Sequence, residues 1–523
     1  MSGIGGREKP WMPLDSLSTE ILALIFTELL YLDRTSLWAA RRTSRRAAAV
    51  ATPILYRTLE LNKSLLSPHA ADTHPGLYEN IQRYTLEAVV ASDLEPSGVR
   101  RVISWASRLQ SIRWNYTSSP DLKTPTCWLL QDALDLRNLR SRDITLQIFD
   151  LPLQDFTASS DPSILTRTIP APLMTTLTLG HPRPPLTYKV GPLKMLLLQA
   201  AQLKVFHYED RGQGTRFRFD RDDGRMPAVE DLMLRSYDWD HGMEEVRRHW
   251  DFSKLRSLQL LQVPIYNFLS SIDPSHLRDL HTLRVEDFSA HLPDKRREAT
   301  RALSDLVAGH ITSLEVLDLV CHVSLFSIEA LLGHRLTLRE LRLRDHTGFG
   351  EEEHAVPTVS GEDLARLARE MPLLHTLELD MDVTQCNARE FLSAACRFGS
   401  LHTLTVHVQT LLRPLDAIQA GTDRDFEAAM ATFRFLLDER DRVSKLPTYA
   451  KNTFTPWRRI TINVGGWRRV MVRRVSSAWR ERNEHGIFAE RCFVLERSAL
   501  HGQLGVREEI GVESPSRRAT PEL

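Results

Sequence analysis

The sequence lacks a long hydrophobic run. Across its 523 residues the most apolar stretch is residues 21–32, and Glu28 interrupts it. A helix needs about 20 apolar residues to cross a bilayer, so this stretch does not predict a transmembrane span. The first residues also lack the apolar segment of a secretory signal. We therefore expect a soluble protein that is not exported.

The sequence has few cysteines, and they are scattered. None belongs to a C-x-x-C pair or has the spacing with histidine that zinc sites use; the five are Cys127, Cys321, Cys386, Cys396 and Cys492. An odd, dispersed set is typical of buried thiols in a reducing compartment. We expect no metal site, and a cytoplasmic or nuclear location, or both.

The sequence has no excess of charge of either sign. Its 67 lysines and arginines equal its 67 aspartates and glutamates. A neutral chain has no overall field that would attract nucleic acid or an anionic membrane. Either role would need a local patch of charge.

The common enzyme motifs are absent as well. The sequence contains no G-x-x-x-x-G-K-[ST], no H-E-x-x-H and no G-x-S-x-G. Its 19 histidines show no ligand spacing beside acids or cysteines, and His375 and His402 are expected to face the surface or to bond locally. We expect a protein that is not an enzyme, with no catalytic residue and no cofactor.

The first sixty residues predict two helices. Between residues 14 and 32, apolar residues recur at helical spacing and form one wide face; they are Ile21, Leu22, Ile25, Phe26 and Leu29. The second helix is predicted from about Leu37 to Ala51, and Pro53 is expected to end it. So small a unit cannot bury so apolar a helix alone, so the helix packs on the rest of the chain or docks on another protein.

This segment resembles an F-box of the kind common in filamentous fungi. The matching residues are Leu17, Glu20, Ile21, Leu22, Ile25, Phe26, Leu29, Asp33, Leu37, the Ser-Arg-Arg at 44–46 and residues 51–56. Two positions depart from the family: Ser18 replaces a usual proline, and Ala47 stands where an aromatic often follows the paired arginines. The second departure removes packing area.

The resemblance implies a partner. In that family the first helices insert into a groove on the Skp-family adaptor of cullin–RING ubiquitin ligases, and apolar anchors at helical spacing supply the binding energy. Carried over to this sequence, the anchors are Leu14, Leu17, Ile21, Leu22, Ile25, Phe26 and Leu29.

From about residue 100 the sequence is repetitive. The pattern L-x-x-L-x-L, with apolar substitutions, starts at residues 174, 203, 229, 255, 280, 314, 338, 374 and 401, and a weaker copy starts at Leu109. Successive copies from 174 onward start 24 to 36 residues apart, close to the about 20–29 residues of leucine-rich repeats, which the pattern resembles. Together with the helical patterns between copies, it predicts an α/β fold. We expect a helical F-box followed by a right-handed solenoid, with a parallel sheet on the concave side and helices on the convex side.

Strand alternation predicts which residues line the concave side. The leucines point inward, and the residues between them point to the open face, where such solenoids bind partners. These candidate substrate-binding residues are Gln259, Arg284, Asp318, Arg342, Glu378 and Thr405. Because they are mixed in sign, we expect neither a simple anion trap nor a cation trap. The asparagine expected after each strand is absent, so the turns should be irregular.

We divide the chain by these patterns. Residues 1–10 are a flexible N-terminus, 11–60 the F-box, 61–100 a linker, 101–410 the repeat body, 411–505 a C-terminal cap and 506–523 a disordered tail. In the cap, the sequence predicts one helix from Arg424 to Val443. It also predicts a hairpin between residues 457–460 and 467–470, with its turn at Gly465-Gly466, and a further strand from Gly486 to Glu496.

The resemblances imply a substrate receptor of a Skp–cullin–F-box ubiquitin ligase, with the F-box on the adaptor and the repeats holding a protein substrate. Two alternatives stay open. One is a scaffold that uses the same surfaces without promoting degradation. The other is a nucleic-acid-associated adaptor, suggested by arginines near Trp457, Trp467 and Trp479.

Overall fold

The computed structural model of the chain describes residues 16–69, 76–117, 130–157, 163–181, 189–210, 215–287, 293–349, 355–411, 423–446, 454–466, 490–498 and 502–509. The protein is α/β, and most of its strands pair in parallel. It divides into two compact units, residues 1–229 and residues 230–523.

The helices of the described residues are α1 (Thr19–Leu32), α2 (Arg34–Arg41), α3 (Arg45–Arg57), α4 (Leu77–Tyr84), α5 (Pro96–Trp105), α6 (Leu130–Ala133), α7 (Leu136–Ser141), α8 (Leu153–Thr157), α9 (Ile164–Thr168), α10 (Gly191–Leu198), α11 (Met243–His249), α12 (Ile265–Ser271), α13 (Pro293–Gly309), α14 (Ile328–Leu332), α15 (Gly361–Glu370), α16 (Ala388–Ala395) and α17 (Arg424–Ser444).

The strands are β1 (Thr58–Glu60), β2 (Glu87–Ala91), β3 (Ser111–Asn115), β4 (Thr145–Leu151), β5 (Met174–Leu179), β6 (Val205–Glu209), β7 (Asp231–Arg235), β8 (Ser257–Val263), β9 (Thr282–Asp287), β10 (Val316–Cys321), β11 (Glu340–Asp345), β12 (Thr376–Asp380), β13 (Thr403–Val408), β14 (Arg459–Val464), β15 (Arg491–Arg497) and β16 (Leu504–Glu509).

Side-chain caps separate the first three helices. The Ser18 hydroxyl accepts from the Ile21 N–H at the start of α1, and the Asp33 carboxylate accepts from the Thr35 and Ser36 N–H groups at the start of α2. Ser44 caps α3 in the same way. Such caps satisfy backbone donors that have no partner within a helix, so the chain turns sharply between helices.

The second helix differs from its prediction in two ways. The region predicted as one helix is two, α2 and α3, which the Ser44 cap separates. The prediction that Pro53 ends the helix is wrong, because α3 continues through Pro53 to Arg57. A proline inside a helix costs about 3 kcal/mol. Burial of Ala51 and Leu55 on either side of it offsets that cost.

In its described residues the first unit has six parallel strands in sequence order. β1 pairs with β2 and each strand pairs with the next as far as β6. Parallel pairing thus starts at Thr58, whereas the sequence predicted a linker at residues 61–100. That segment was misread because β2 is only five residues long and lacks the leucine pattern. A positive φ of 62° at Asp150 marks a bulge in β4.

The second unit continues the same construction. Each strand from β7 to β14 pairs in parallel with the next. At least one helix lies in every connection between them, as parallel pairing requires. The nine predicted copies of the leucine pattern all contain strands, β5 to β13. The helical patterns predicted after four of them correspond to α13, α14, α15 and α16.

The leucines form the core in register. Leu283, Leu317, Leu341, Leu377, Leu404 and Ile460 are paired in order across β9 to β14. Each is at most 1% exposed. The inward direction predicted from alternation is therefore confirmed.

A ladder of aspartates replaces the missing asparagines. Asp287, Asp345 and Asp382 stand at or just after the ends of β9, β11 and β12, and each is 7% exposed or less. Their carboxylates accept from backbone N–H groups of the preceding repeat, those of Ile265 (3.1 Å), Val323 (2.9 Å) and Val356 (2.8 Å) respectively. Aspartate side chains thus hold these turns through hydrogen bonds, whereas the missing asparagines predicted irregular turns.

The C-terminal end of the second unit reverses direction. The predicted helix is α17, and the predicted last strand is β15, which pairs antiparallel with both β14 and β16. The first arm of the predicted hairpin, 457–460, overlaps β14, which pairs with β13 and β15, and the second arm, 467–470, lies outside the described residues. The predicted disordered tail began at residue 506, but residues 506–509 belong to β16, so that part of the prediction is wrong. Residues 467–489 and 510–523 lie outside the described residues.

Candidate partner-binding surfaces

The helices α1 to α3 enclose a small core of their own. It consists of Leu22, Phe26, Leu37, Ala47, Ala51 and Leu55. Each of these side chains is 3% exposed or less. Leu17 and Leu29 are partly buried against it. One face of α1 therefore packs against α2 and α3 within this helical segment.

A second apolar face of α1 is open. Ile21 is 47% exposed, Leu24 68%, Ile25 39% and Leu32 83%. At 100° per residue these four positions lie within an arc of about 100°, so they form one stripe. An exposed apolar stripe on a helix marks a site where another surface docks. We call these four residues the α1 face.

The structure divides the seven predicted anchors. Ile21 and Ile25 lie on the α1 face, Leu22 and Phe26 lie in the core, and Leu14 lies outside the described residues. The sequence interpretation missed Leu24 and Leu32. The available signal was that α1 is apolar on nearly all sides, which means that more than one face must be covered.

The six residues predicted for the open sheet face form one row. Register pairs Gln259 with Arg284, Arg284 with Asp318, and Asp318 with Arg342, and then continues through Glu378 to Thr405. All six are half-buried. We call them the central row. Period-two alternation was enough to bring them together across β8 to β13.

Arg342 is the hub of an ion-pair network in the central row. Its guanidinium lies 2.7 Å from Glu340, 3.6 Å from Glu378 and 3.8 Å from Asp318. Arg284 lies 3.8 Å from Glu340. Since each arginine already has acids beside it, this row is not a simple trap for either sign of charge, as the sequence indicated.

Burial and neighbouring charges move two carboxyl groups in opposite directions. Burial raises the pKa of Asp318 to about 6, although Arg342 opposes the shift. Burial would also raise the pKa of Glu378, but a hydrogen bond with His407 and the charge of Arg342 hold it to about 2. His407 Nε2 and Glu378 Oε1 are 2.7 Å apart. Glu340 and His407 were missed, although each is two residues from a member of the row on the same strand.

The described residues contain no group of three or more histidines, cysteines and acids that could hold a metal ion. Burial raises the pKa of the Cys321, Cys396 and Cys492 thiols, which disfavours the reactive thiolate. These three cysteines and Cys386 are free thiols; Cys127 lies outside the described residues.

Comparison with known proteins does not assign the chain to a family. No protein-family model matches the chain, and no curated protein is significantly similar to it. Among the described residues, none of the helices is both long enough and apolar enough to cross a membrane.

Proposed function

We propose that this protein is a substrate-recognition adaptor of a Skp–cullin–F-box type ubiquitin ligase. The N-terminal helices dock on the Skp-family adaptor, and the repeat body, a leucine-rich-repeat solenoid, holds a protein substrate on the side of the central row. The chemistry belongs to the ligase. This chain supplies proximity, which raises the effective concentration of the substrate.

The observation that carries the proposal is the α1 face. A helix with its own internal core has no folding reason to present four large aliphatic side chains to water, and each such side chain contributes about 1.5–3 kcal/mol when fully buried. The exposed Glu28 lies between Ile25 and Leu32 on the same side of α1 and is the charged residue there. The F-box resemblance covers the same helix and supplies the occupant, a Skp-family groove.

The repeat body supports the second half of the proposal. Successive strand–helix units bring one side chain from each of six strands into the central row. An extended row on a rigid sheet is suited to contact a protein surface or an extended segment, which many small contacts then hold.

The test is calorimetric titration of the full chain with a recombinant Skp-family adaptor. Wild type should bind with a micromolar or lower Kd. In Ile21→Asp/Ile25→Asp both new charges enter an apolar groove, so binding should weaken at least about a hundredfold. Leu22 and Phe26 are unsuitable for this test, because both lie in the core of the helical segment and their substitution is expected to unfold it whatever its partner.

A matched control uses apolar residues exposed elsewhere. Met243 is 61% exposed and Leu336 66%, so Met243→Asp/Leu336→Asp adds the same charge away from α1 and should bind normally. Failure of the wild type to bind would contradict the proposal. Equal loss in both double variants would show that added charge, and not the α1 face, weakens the complex.

A further inference from the structure

In the described part of the second unit, the eight residues immediately before strands β7 to β14 stand at equivalent positions, and the last four of them carry basic side chains. Arg339 precedes β11, His375 precedes β12, His402 precedes β13 and Arg458 precedes β14. Their backbones are linked in register: the His375 N–H donates to Arg339 C=O (2.9 Å), the His402 N–H to His375 C=O (3.1 Å) and the Arg458 N–H to His402 C=O (2.9 Å). The four side chains therefore occur in order across four neighbouring strands.

The two histidines in the middle are stacked. Their ring centroids are 5.2 Å apart and the ring planes differ by 5°. Each Nδ1 is hydrogen-bonded to the hydroxyl of the following threonine, Thr376 at 3.1 Å and Thr403 at 2.9 Å. Since the Nδ1 atoms are occupied, the Nε2 atoms are left to bind a ligand.

Positive charge exceeds negative charge along these positions. Arg339 lies 3.6 Å from Glu315, which stands at the preceding equivalent position, before β10; both side chains are exposed, so the pair is weak. Arg458 is exposed and has no ion-pair partner within the part of the chain that the structure describes. Burial lowers the pKa of both His375 and His402. At His375 the charge of Glu340 opposes this shift and that of Arg339 adds to it, while at His402 the neighbouring His375 and Arg458 add to it.

We propose that Arg339, His375, His402 and Arg458 form a basic row that binds an extended acidic segment of a partner protein. The inference does not depend on the ligase assignment. Adjacent strands lie about 4.8 Å apart, so the row is about 14 Å long, the length of about four extended residues. Four N–H-bearing groups along that length match the carboxylates of such a segment.

A protein segment fits this row better than single-stranded nucleic acid. Proteins that bind single strands stack the bases on exposed aromatic rings. The aromatic residue next to the row in sequence is Trp457, which is 3% exposed and therefore cannot act as such a platform. The neutral charge of the whole chain also gives no general attraction to nucleic acid.

Acidification should strengthen binding. At neutral pH the lowered pKa values keep both rings uncharged, so the two arginines carry the positive charge. A bound acidic segment favours the protonated rings, and falling pH adds up to two positive charges to the row. The groups that set this response are Arg339, Arg458 and Glu340, together with the coupling between the two rings.

The test measures fluorescence anisotropy of a rhodamine-labelled deca-aspartate peptide with the full chain in 0.1 M salt. Wild type should bind saturably and more tightly at pH 5.5 than at pH 7.5. Arg339→Gln/Arg458→Gln should weaken binding at least about tenfold, because two charge-assisted hydrogen bonds are lost. His375→Gln/His402→Gln should abolish the gain at pH 5.5 and leave binding at pH 7.5 nearly unchanged.

The control variant Arg369→Gln/Arg434→Gln removes the same charge from exposed positions on α15 and α17. It should change affinity less than about twofold, as expected for distant exposed charges. Equal weakening in this control would overturn the proposal, as would the absence of saturable binding. A labelled decathymidylate that binds more tightly than the peptide would overturn the choice of a protein segment.

Discussion

Replacement of Arg440 by alanine is expected to destabilise the second unit by about 3–5 kcal/mol, because it leaves several buried carbonyl oxygens without donors. Arg440 lies on α17 and is 6% exposed. Its guanidinium donates to the carbonyls of Cys396 (3.1 Å), Phe398 (2.6 Å) and Leu401 (2.7 Å) at the end of α16 and the turn after it.

No carboxylate neutralises this buried cation among the described residues. The carbonyls at the C-terminal end of α16 carry partial negative charge and take that role. The rings of Phe454 and Trp457 stack against the guanidinium, with centroids 4.9 and 4.7 Å from it. Burial lowers the pKa of Arg440 to about 10, so it remains charged at neutral pH.

Urea unfolding followed by circular dichroism measures the effect. Arg440→Lys keeps the charge but loses the planar fork of donors, so it should fall between wild type and Arg440→Ala. Arg434→Ala on the exposed side of the same helix should cost less than about 0.5 kcal/mol. If Arg440→Ala unfolds at the same urea concentration as Arg434→Ala, the carbonyl cluster does not depend on this side chain.

The second large effect is expected at Asp382 in the aspartate ladder. Its carboxylate accepts from the Val356 N–H (2.8 Å), the Thr384 N–H (2.8 Å) and the Thr384 hydroxyl (2.7 Å), and the residue is 1% exposed. Asp382→Ala should therefore cost about 2–4 kcal/mol, since buried donors lose their acceptor. Asp438→Ala, at an exposed position on α17, should have little effect.

Asp382 makes stability depend on pH in the acid range. Burial would raise the pKa of Asp382, but the hydrogen bonds from Val356 and Thr384 outweigh it and hold the pKa below its ordinary value of 3.8. The contribution of the ionised form is therefore complete above the unfolded-state pKa and is lost as pH falls through the lower folded-state pKa. The stability difference between wild type and Asp382→Asn should shrink below about pH 4. A difference that is constant with pH would contradict this role.

The strands of the repeat body were predictable because one physical rule governs them. In L-x-x-L-x-L the buried positions follow the pleat of a strand, so each copy specifies its own inward face and, through that, the register with the next copy. The central row followed from the same alternation. The α1 face was predicted only in part, because α1 is apolar on the side that packs inward and on the side that does not.

The errors have physical causes that a local pattern does not contain. The prediction at Pro53 used only the low helix preference of proline. Helix α3 continues through Pro53 because its helical neighbours are buried. Arg440 lies in a stretch of alternating charges that looks fully exposed, and its role depends on carbonyls about 40 residues away in the chain. The aspartates of the ladder were overlooked at Asp287 and Asp345 because they stand one position earlier than the family's asparagine.

The antiparallel pairing of β15 and β16 has a consequence for how this gene can change in length. Each unit between β8 and β13 meets its neighbours through the same parallel register, so an in-frame duplication of one unit there would present compatible surfaces on both sides. β15 runs opposite to the repeats and β16 runs in their direction again, but four of the six residues of β16 are exposed, so an added copy would meet a strand without a buried leucine face. Growth and loss of repeats should therefore be confined to the interior, and the C-terminal end should be inherited as a fixed terminator.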